Sequence, residues 1–168
     1  DDLIEGNEGS DTINGNAGDD EIHGHSATNA GDDNAADFLF GDEDNDLITG
    51  GGGPDVIHGN DGDDVIHGHS STNANDDAAA DTIFGDDGND LITGGAGLDV
   101  ILGNAGNDTI YGQQDEDDIQ GTTGDDTIYG GTEDDVIEGN EDDDTLYGQD
   151  GEDPISGNDG NDTIFGGN

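Results

Sequence analysis

Along this chain single apolar residues recur at every ninth position, separated by stretches of glycine, asparagine and aspartate. Gly103 to Tyr111, GNAGNDTIY, serves as the type unit, with its glycine as position 1. Position 8 is then Ile, or Leu at Leu39 and Leu146, in all seventeen units, and position 1 is always Gly. Positions 7 to 9 (Thr-Ile-Tyr, Val-Ile-His, Leu-Ile-Thr) are β-branched or aromatic and predict a three-residue strand with one inward side chain. Positions 1 to 6 are rich in residues that tolerate positive φ, and predict tight turns. Strand and turn repeated in this way give a strand, a corner and a strand coming back. Two units close an 18-residue coil, and coils stack about 4.8 Å apart as parallel ladders. The predicted fold is all-β, a right-handed parallel β-roll or β-solenoid.

Two units are longer, at seventeen residues: 24–40 and 68–84. The blocks 24–67 and 68–111 agree at 30 of 44 positions, as a tandem duplication would leave them. Each long unit reads either as an eight-residue excursion or as a degenerate extra half-turn. The whole of 1–168 reads as one repeat domain, and its first residues, Asp-Asp-Leu-Ile, fall mid-repeat. That phase suggests a segment of a longer protein or a subunit of an array.

Composition sharpens the problem. Leu, Ile, Val and Phe make up only about 18% of the chain, while 46 acidic residues meet no Lys or Arg and give a formal charge of −46. A chain below roughly 20% in those residues, with such a charge, does not ordinarily fold unaided. Stacking worsens matters, because position 6 is Asp without exception. Asp2, Asp11, Asp20, Asp37, Asp46, Asp55, Asp64, Asp81, Asp90, Asp99, Asp108, Asp117, Asp126, Asp135, Asp144, Asp153 and Asp162 would stand above one another in files. Like charges about 4.8 Å apart repel. Positive charge must therefore come from outside, and Ca²⁺ suits the chemistry: it takes roughly six to eight oxygens, carboxylates and carbonyls included. The position-6 carboxylates, with backbone carbonyls of the preceding turn, are the predicted ligands of roughly a dozen Ca²⁺ ions. Magnesium fits less well, since it requires a tight octahedron and keeps its waters.

The same charge makes nucleic acid a poor partner, because no cationic side chain is present to neutralise phosphate. No apolar run approaches the roughly 20 residues of a membrane span, so membrane insertion is not expected. The chain has no Cys, which removes disulfides and thiolate ligands.

The units GGAGLDVIL (94–102), GNAGNDTIY (103–111) and GNDGNDTIF (157–165) resemble the RTX, or hemolysin-type, nonapeptide G-G-x-G-x-D-x-U-x. That resemblance covers essentially the entire chain. It implies a β-roll whose position-6 Asp and turn carbonyls bind calcium, in proteins exported by type I secretion that fold outside the cell. Position 4 departs from it at Asp44, Asp115, Glu133 and Asp142, as do Pro54 and Leu98 at position 5 and Pro154 inside a predicted strand. Pro154 should cost one ladder donor.

Other residue types bear on chemistry. His23, His25, His67 and His69, in two His-Gly-His triplets, together with His58, suggest zinc or copper. The residue pattern favours exposed strand-end and turn positions, titrating near pH 6.5. The paired carboxylates all fall on the turn register, and a core one residue wide leaves little room for a cleft, so no enzyme is expected. Tyr111, Tyr129, Tyr147 and Phe165 recur every eighteen residues beside Thr109, Thr127, Thr145 and Thr163. This Thr/aromatic face is either a ladder supporting its own sheet or a surface for self-association, with end-to-end stacking the other route. The expected role is a rigid calcium-folded element of a secreted or cell-surface protein: an adhesin, surface layer or filament. The alternative is a calcium-triggered folding module of a type I-secreted enzyme or toxin.

Overall fold

One inward side chain per strand can be covered only by a second sheet close behind the first, and the chain builds that arrangement. The computed structural model describes residues 1–25, 34–69 and 78–168. The odd-numbered strands are β1 (Leu3–Glu5), β3 (Glu21–His23), β5 (Leu47–Thr49), β7 (Val65–His67), β9 (Leu91–Ala96), β11 (Thr109–Gln114), β13 (Thr127–Thr132), β15 (Thr145–Asp150) and β17 (Thr163–Phe165). They form one nine-stranded parallel sheet. The even-numbered strands are β2 (Thr12–Ala17), β4 (Phe38–Glu43), β6 (Val56–Asp61), β8 (Thr82–Asp87), β10 (Val100–Ala105), β12 (Asp118–Thr123), β14 (Val136–Glu141) and β16 (Ile155–Asp159). These form an eight-stranded parallel sheet.

The chain thus alternates between two sheets, which makes it a parallel β-solenoid with 18 residues per coil: Ile110 pairs with Ile128 and Ile128 with Leu146. Between the sheets lies one core, to which each sheet contributes a column of position-8 side chains. Fourteen of the position-8 residues, from Ile13 to Leu146, are buried, Ile4 and Ile155 pack partly against them, and Ile164 is exposed at the end of its column. Among the described residues no helix is long and apolar enough to cross a membrane.

The extra residues of the long units fall largely at 26–33 and 70–77, outside the described residues. The choice between an excursion and an extra half-turn therefore lies there too, while the described strands on either side keep their alternation. β3 is followed by β4 in the opposite sheet, and β7 by β8. Pairing across the long units shifts by 26 residues, Thr12 to Phe38 and Val56 to Thr82.

Strand length departs from expectation. Most strands run six residues, from position 7 through position 3 of the next unit, because the ladder continues through the glycine at position 1. A left-handed residue follows at position 2, such as Asn104 (φ 77°) or Gln113 (φ 88°). Since Gln113 still pairs with Gly131, the kink repeats in register and the ladder bends round the corner without breaking. Position 4 also lies at positive φ in most units, and there the departures from glycine are absorbed: Asp44, Asp115, Glu133 and Asp142 sit at φ 72–77°. Pro154 precedes β16, which is one residue shorter than β14, its neighbour in the sheet. In the adjacent coil the Val136 N–H donates to the Asp117 carbonyl at 2.8 Å, a bond proline cannot reproduce.

Position-9 side chains stack outside the sheets. Tyr111, Tyr129, Tyr147 and Phe165 have ring centroids 4.7–4.8 Å apart and planes within 8°. A second stack, Phe40, His58 and Phe84, lies on the eight-stranded sheet, with centroids at 5.3 and 4.4 Å. The 26-residue step from His58 to Phe84 hides it from an eighteen-residue reading of the sequence.

Candidate metal centre

Every corner carries the position-6 aspartate inward, and successive aspartates are joined by the backbone. The Asp90 N–H donates to Asp108 Oδ1 at 2.8 Å, Asp108 to Asp126 at 2.8 Å, Asp126 to Asp144 at 2.9 Å and Asp144 to Asp162 at 3.1 Å. Toward the other end the same file runs through Asp64, Asp46 and Asp20 to Asp2. On the opposite edge a second file joins Asp11, Asp37, Asp55, Asp81, Asp99, Asp117, Asp135 and Asp153. All seventeen predicted aspartates therefore fall into two files, one along each edge of the flattened coil. Asp2 is exposed and Asp11, Asp153 and Asp162 are half-buried near the ends, while those from Asp20 to Asp144 are at most 3% exposed.

Beyond Asp2 and Asp11, which head the two files, one carboxylate oxygen is thus engaged by an N–H. The other, Oδ2, is buried and accepts no hydrogen bond at Asp11, Asp20, Asp46, Asp55, Asp64, Asp90, Asp99, Asp108, Asp117, Asp126, Asp135, Asp144 and Asp153. Such a row of buried acceptors is costly unless a cation faces it. The position-1 glycines show where one could sit. A Cβ on Gly85 would lie 2.3 Å from Asp90 Oδ2 and 2.6 Å from the Gly103 carbonyl of the next coil; on Gly112 it would lie 2.4 Å from Asp117 Oδ2 and 2.6 Å from the Gly130 carbonyl. Carboxylate and carbonyl oxygens converge on a cradle that only glycine leaves open. Among the described residues no three His, Cys, Asp or Glu side chains cluster, so backbone carbonyls would have to complete any coordination shell. An all-oxygen donor set of mixed carboxylate and carbonyl fits Ca²⁺.

Electrostatics agree. Without a cation, burial pushes the Asp55 and Asp117 carboxyls up to about 8, Asp90 and Asp126 to about 7, and Asp64, Asp99, Asp108, Asp135 and Asp144 to about 6. The donated N–H bonds lower these values, and for most of the nine the neighbouring carboxylates raise them further, but burial dominates.

The histidines divide into two kinds. His23 lies in β3 with Nε2 3.0 Å from Glu21 Oε1, and His58 holds Asp86 Oδ2 at 2.8 Å from Nδ1. His25 and His69 depart from expectation. They occupy position 2 of the long units, are not exposed turn residues, and turn inward to the corner aspartates. His69 Nδ1 lies 3.2 Å from Asp81 Oδ2 and 3.3 Å from the Gly94 carbonyl. His25 Nδ1 lies 3.6 Å from Asp37 Oδ2 and 3.4 Å from the Gly50 carbonyl. Only their recurrence at the start of both long units marked them in the sequence.

A family model for the RTX calcium-binding nonapeptide repeat (4 copies) matches residues 1–33, 28–66, 40–73, 75–110, 96–122, 111–146, 120–153 and 147–168. No curated protein matches the chain.

Proposed function

The chain belongs to the RTX calcium-binding nonapeptide repeat family, and from that premise we propose that it is a single calcium-folded domain whose ions are held at the coil corners by the seventeen position-6 aspartates and neighbouring turn carbonyls. The supporting observation is the file of buried Oδ2 atoms facing glycine cradles. Bound calcium supplies the positive charge that the chain lacks. At most corners the protein's own part is to present a buried carboxylate oxygen, to keep its partner oxygen on the N–H of the preceding coil, and to leave the cradle clear of side chains; at Asp37 and Asp81 a histidine ring faces the carboxylate instead. Roughly a dozen ions would offset about half of the formal charge.

Such weak, numerous sites fill at extracellular calcium levels of roughly 10⁻⁴–10⁻³ M, which supports a secreted or surface-attached protein, exported by type I secretion and ordered outside the cell. There the domain serves as a rigid element of an adhesin, surface layer or filament. End-to-end stacking, or contact through the face carrying Tyr111, Tyr129, Tyr147 and Phe165, would join copies.

Paired substitutions test the corner assignment. Asp126→Ala removes a buried Oδ2 and the acceptor of the Asp108 N–H, whereas Glu8→Ala removes an exposed carboxylate at position 3. Followed by circular dichroism, the calcium midpoint for folding should rise several-fold in Asp126→Ala and stay put in Glu8→Ala. Equal behaviour of the two would contradict the assignment.

A further inference from the structure

Among the described residues, two corners differ in donor chemistry from the rest. Among the described residues, every position-2 residue other than His25 and His69 holds a positive φ, from 68° at Asn158 to 137° at Gly131. His25 and His69 leave that conformation, and their imidazoles enter the corner. The His69 side chain is 5% exposed and that of His25 10%, and the aspartates they face, Asp81 and Asp37, are 0% exposed.

Each ring has a prepared seat. A Cβ on Gly51 would lie 2.6 Å from His25 Nδ1, and one on Gly95 would lie 2.8 Å from His69 Nδ1. Glycine at position 2 of the next coil is therefore what lets the ring in. The set His, Asp, Gly carbonyl and Gly seat occurs twice on one edge, with Asp55 between Asp37 and Asp81 in the file.

We propose that these two corners, His25–Asp37 and His69–Asp81, are sites for a borderline divalent cation of the zinc class, distinct from the all-oxygen corners. The donors are an imidazole nitrogen, a buried carboxylate oxygen and a backbone carbonyl, separated by 3.2–3.6 Å from nitrogen to oxygen. Donors roughly 3.3–3.6 Å apart are the edges of a tetrahedron with metal–ligand bonds of about 2.0–2.2 Å, the range for zinc with nitrogen and oxygen ligands. Calcium needs longer bonds and more oxygens, and gains little from nitrogen. Replacing one oxygen donor by imidazole thus moves preference from calcium toward zinc. Water completes the shell.

The proposal rests on the corners being cation sites, and the test separates the two ideas. Full-length chain in millimolar calcium, where exposed carboxylates are occupied by the excess ion, is titrated with zinc chloride by calorimetry. Folding in calcium alone is read independently by circular dichroism. Two zinc ions per chain should bind without displacement by calcium. His25→Asn and His69→Asn should each remove one, and the double variant both. Asparagine stands at position 2 in Asn16, Asn60 and Asn104, so these variants should keep the calcium-loaded spectrum. His23→Asn with His67→Asn should leave the count at two. No zinc bound in calcium, an unchanged count in the double variant, or displacement of zinc by calcium in simple competition would overturn the proposal, whether or not calcium folds the chain.

Discussion

In the presence of chelator, lowering the pH from 8 to about 5 should create β-structure in this chain, and raising it again should remove that structure. Nine corner carboxyls have folded-state values between about 6 and 8 in the absence of a cation, against an ordinary 3.8. Between those limits the coil holds protons that the unfolded chain has released. Folding stability therefore falls as pH rises across that window and is greatest at its acid end. A carboxyl whose pKa in the coil stands tenfold in proton affinity above its value in the unfolded chain contributes about 1.4 kcal/mol, so a few such groups together rival the roughly 5–15 kcal/mol that stabilises an ordinary domain. A proton on Oδ2 does crudely what the cation does, by removing the buried charge. Far-UV circular dichroism at micromolar concentration checks this, with sedimentation to exclude aggregation near the sequence pI of about 4.1. A chelated chain that loses order on acidification would contradict the electrostatic account. Calcium added at pH 7 should release protons, measurable in a weakly buffered solution.

The second large effect concerns glycine at position 1. Gly121→Ala would set a methyl 2.1 Å from Asp126 Oδ2, 2.8 Å from its Cγ and 2.9 Å from the Gly139 carbonyl. The carboxylate would have to leave the corner or the coils would have to part, which costs about 1–3 kcal/mol for overpacking before the lost ion is counted. Gly166→Ala, where nothing lies within 4 Å, should leave stability unchanged. Position 4 offers a useful contrast. Gly106 has φ 133°, yet four other units carry Asp or Glu there by moving to φ 72–77°. Gly106→Asp should accordingly be milder than Gly121→Ala, because position 1 has no alternative conformation that empties the cradle. Urea denaturation in saturating calcium ranks the three; a Gly121→Ala chain as stable as Gly166→Ala would mean that the cradle carries no cation.

Much of this was legible in the sequence. The period of nine, the single apolar column and the Asp column pointed to the two-sided coil, its 18-residue register and the candidate corner residues. Strand length was not legible, because Gly, Asn and Asp at positions 1 to 3 read as turn residues, and nothing local shows that a left-handed residue repeated in every coil can bend a ladder and stay paired. Nor could side-chain type reveal that Asp Oδ1 would be used by the backbone, leaving Oδ2 buried without a hydrogen bond at most corners. The inward turn of His25 and His69 depends on Gly51 and Gly95, 26 residues on, a distance set by the length of the long units and not by the repeat. The Phe40, His58 and Phe84 stack was obscured for the same reason.

The central claim is that cations at the corners replace the stabilisation that a one-residue-wide core and 46 acidic side chains cannot provide. Its most direct test is circular dichroism of the purified chain at pH 7 through a calcium titration that begins in excess chelator, with magnesium as control. A disordered spectrum in chelator, a cooperative rise of β-signal by millimolar calcium and little response to magnesium are the predicted results. A compact, β-ordered chain in chelator at neutral pH would contradict the account.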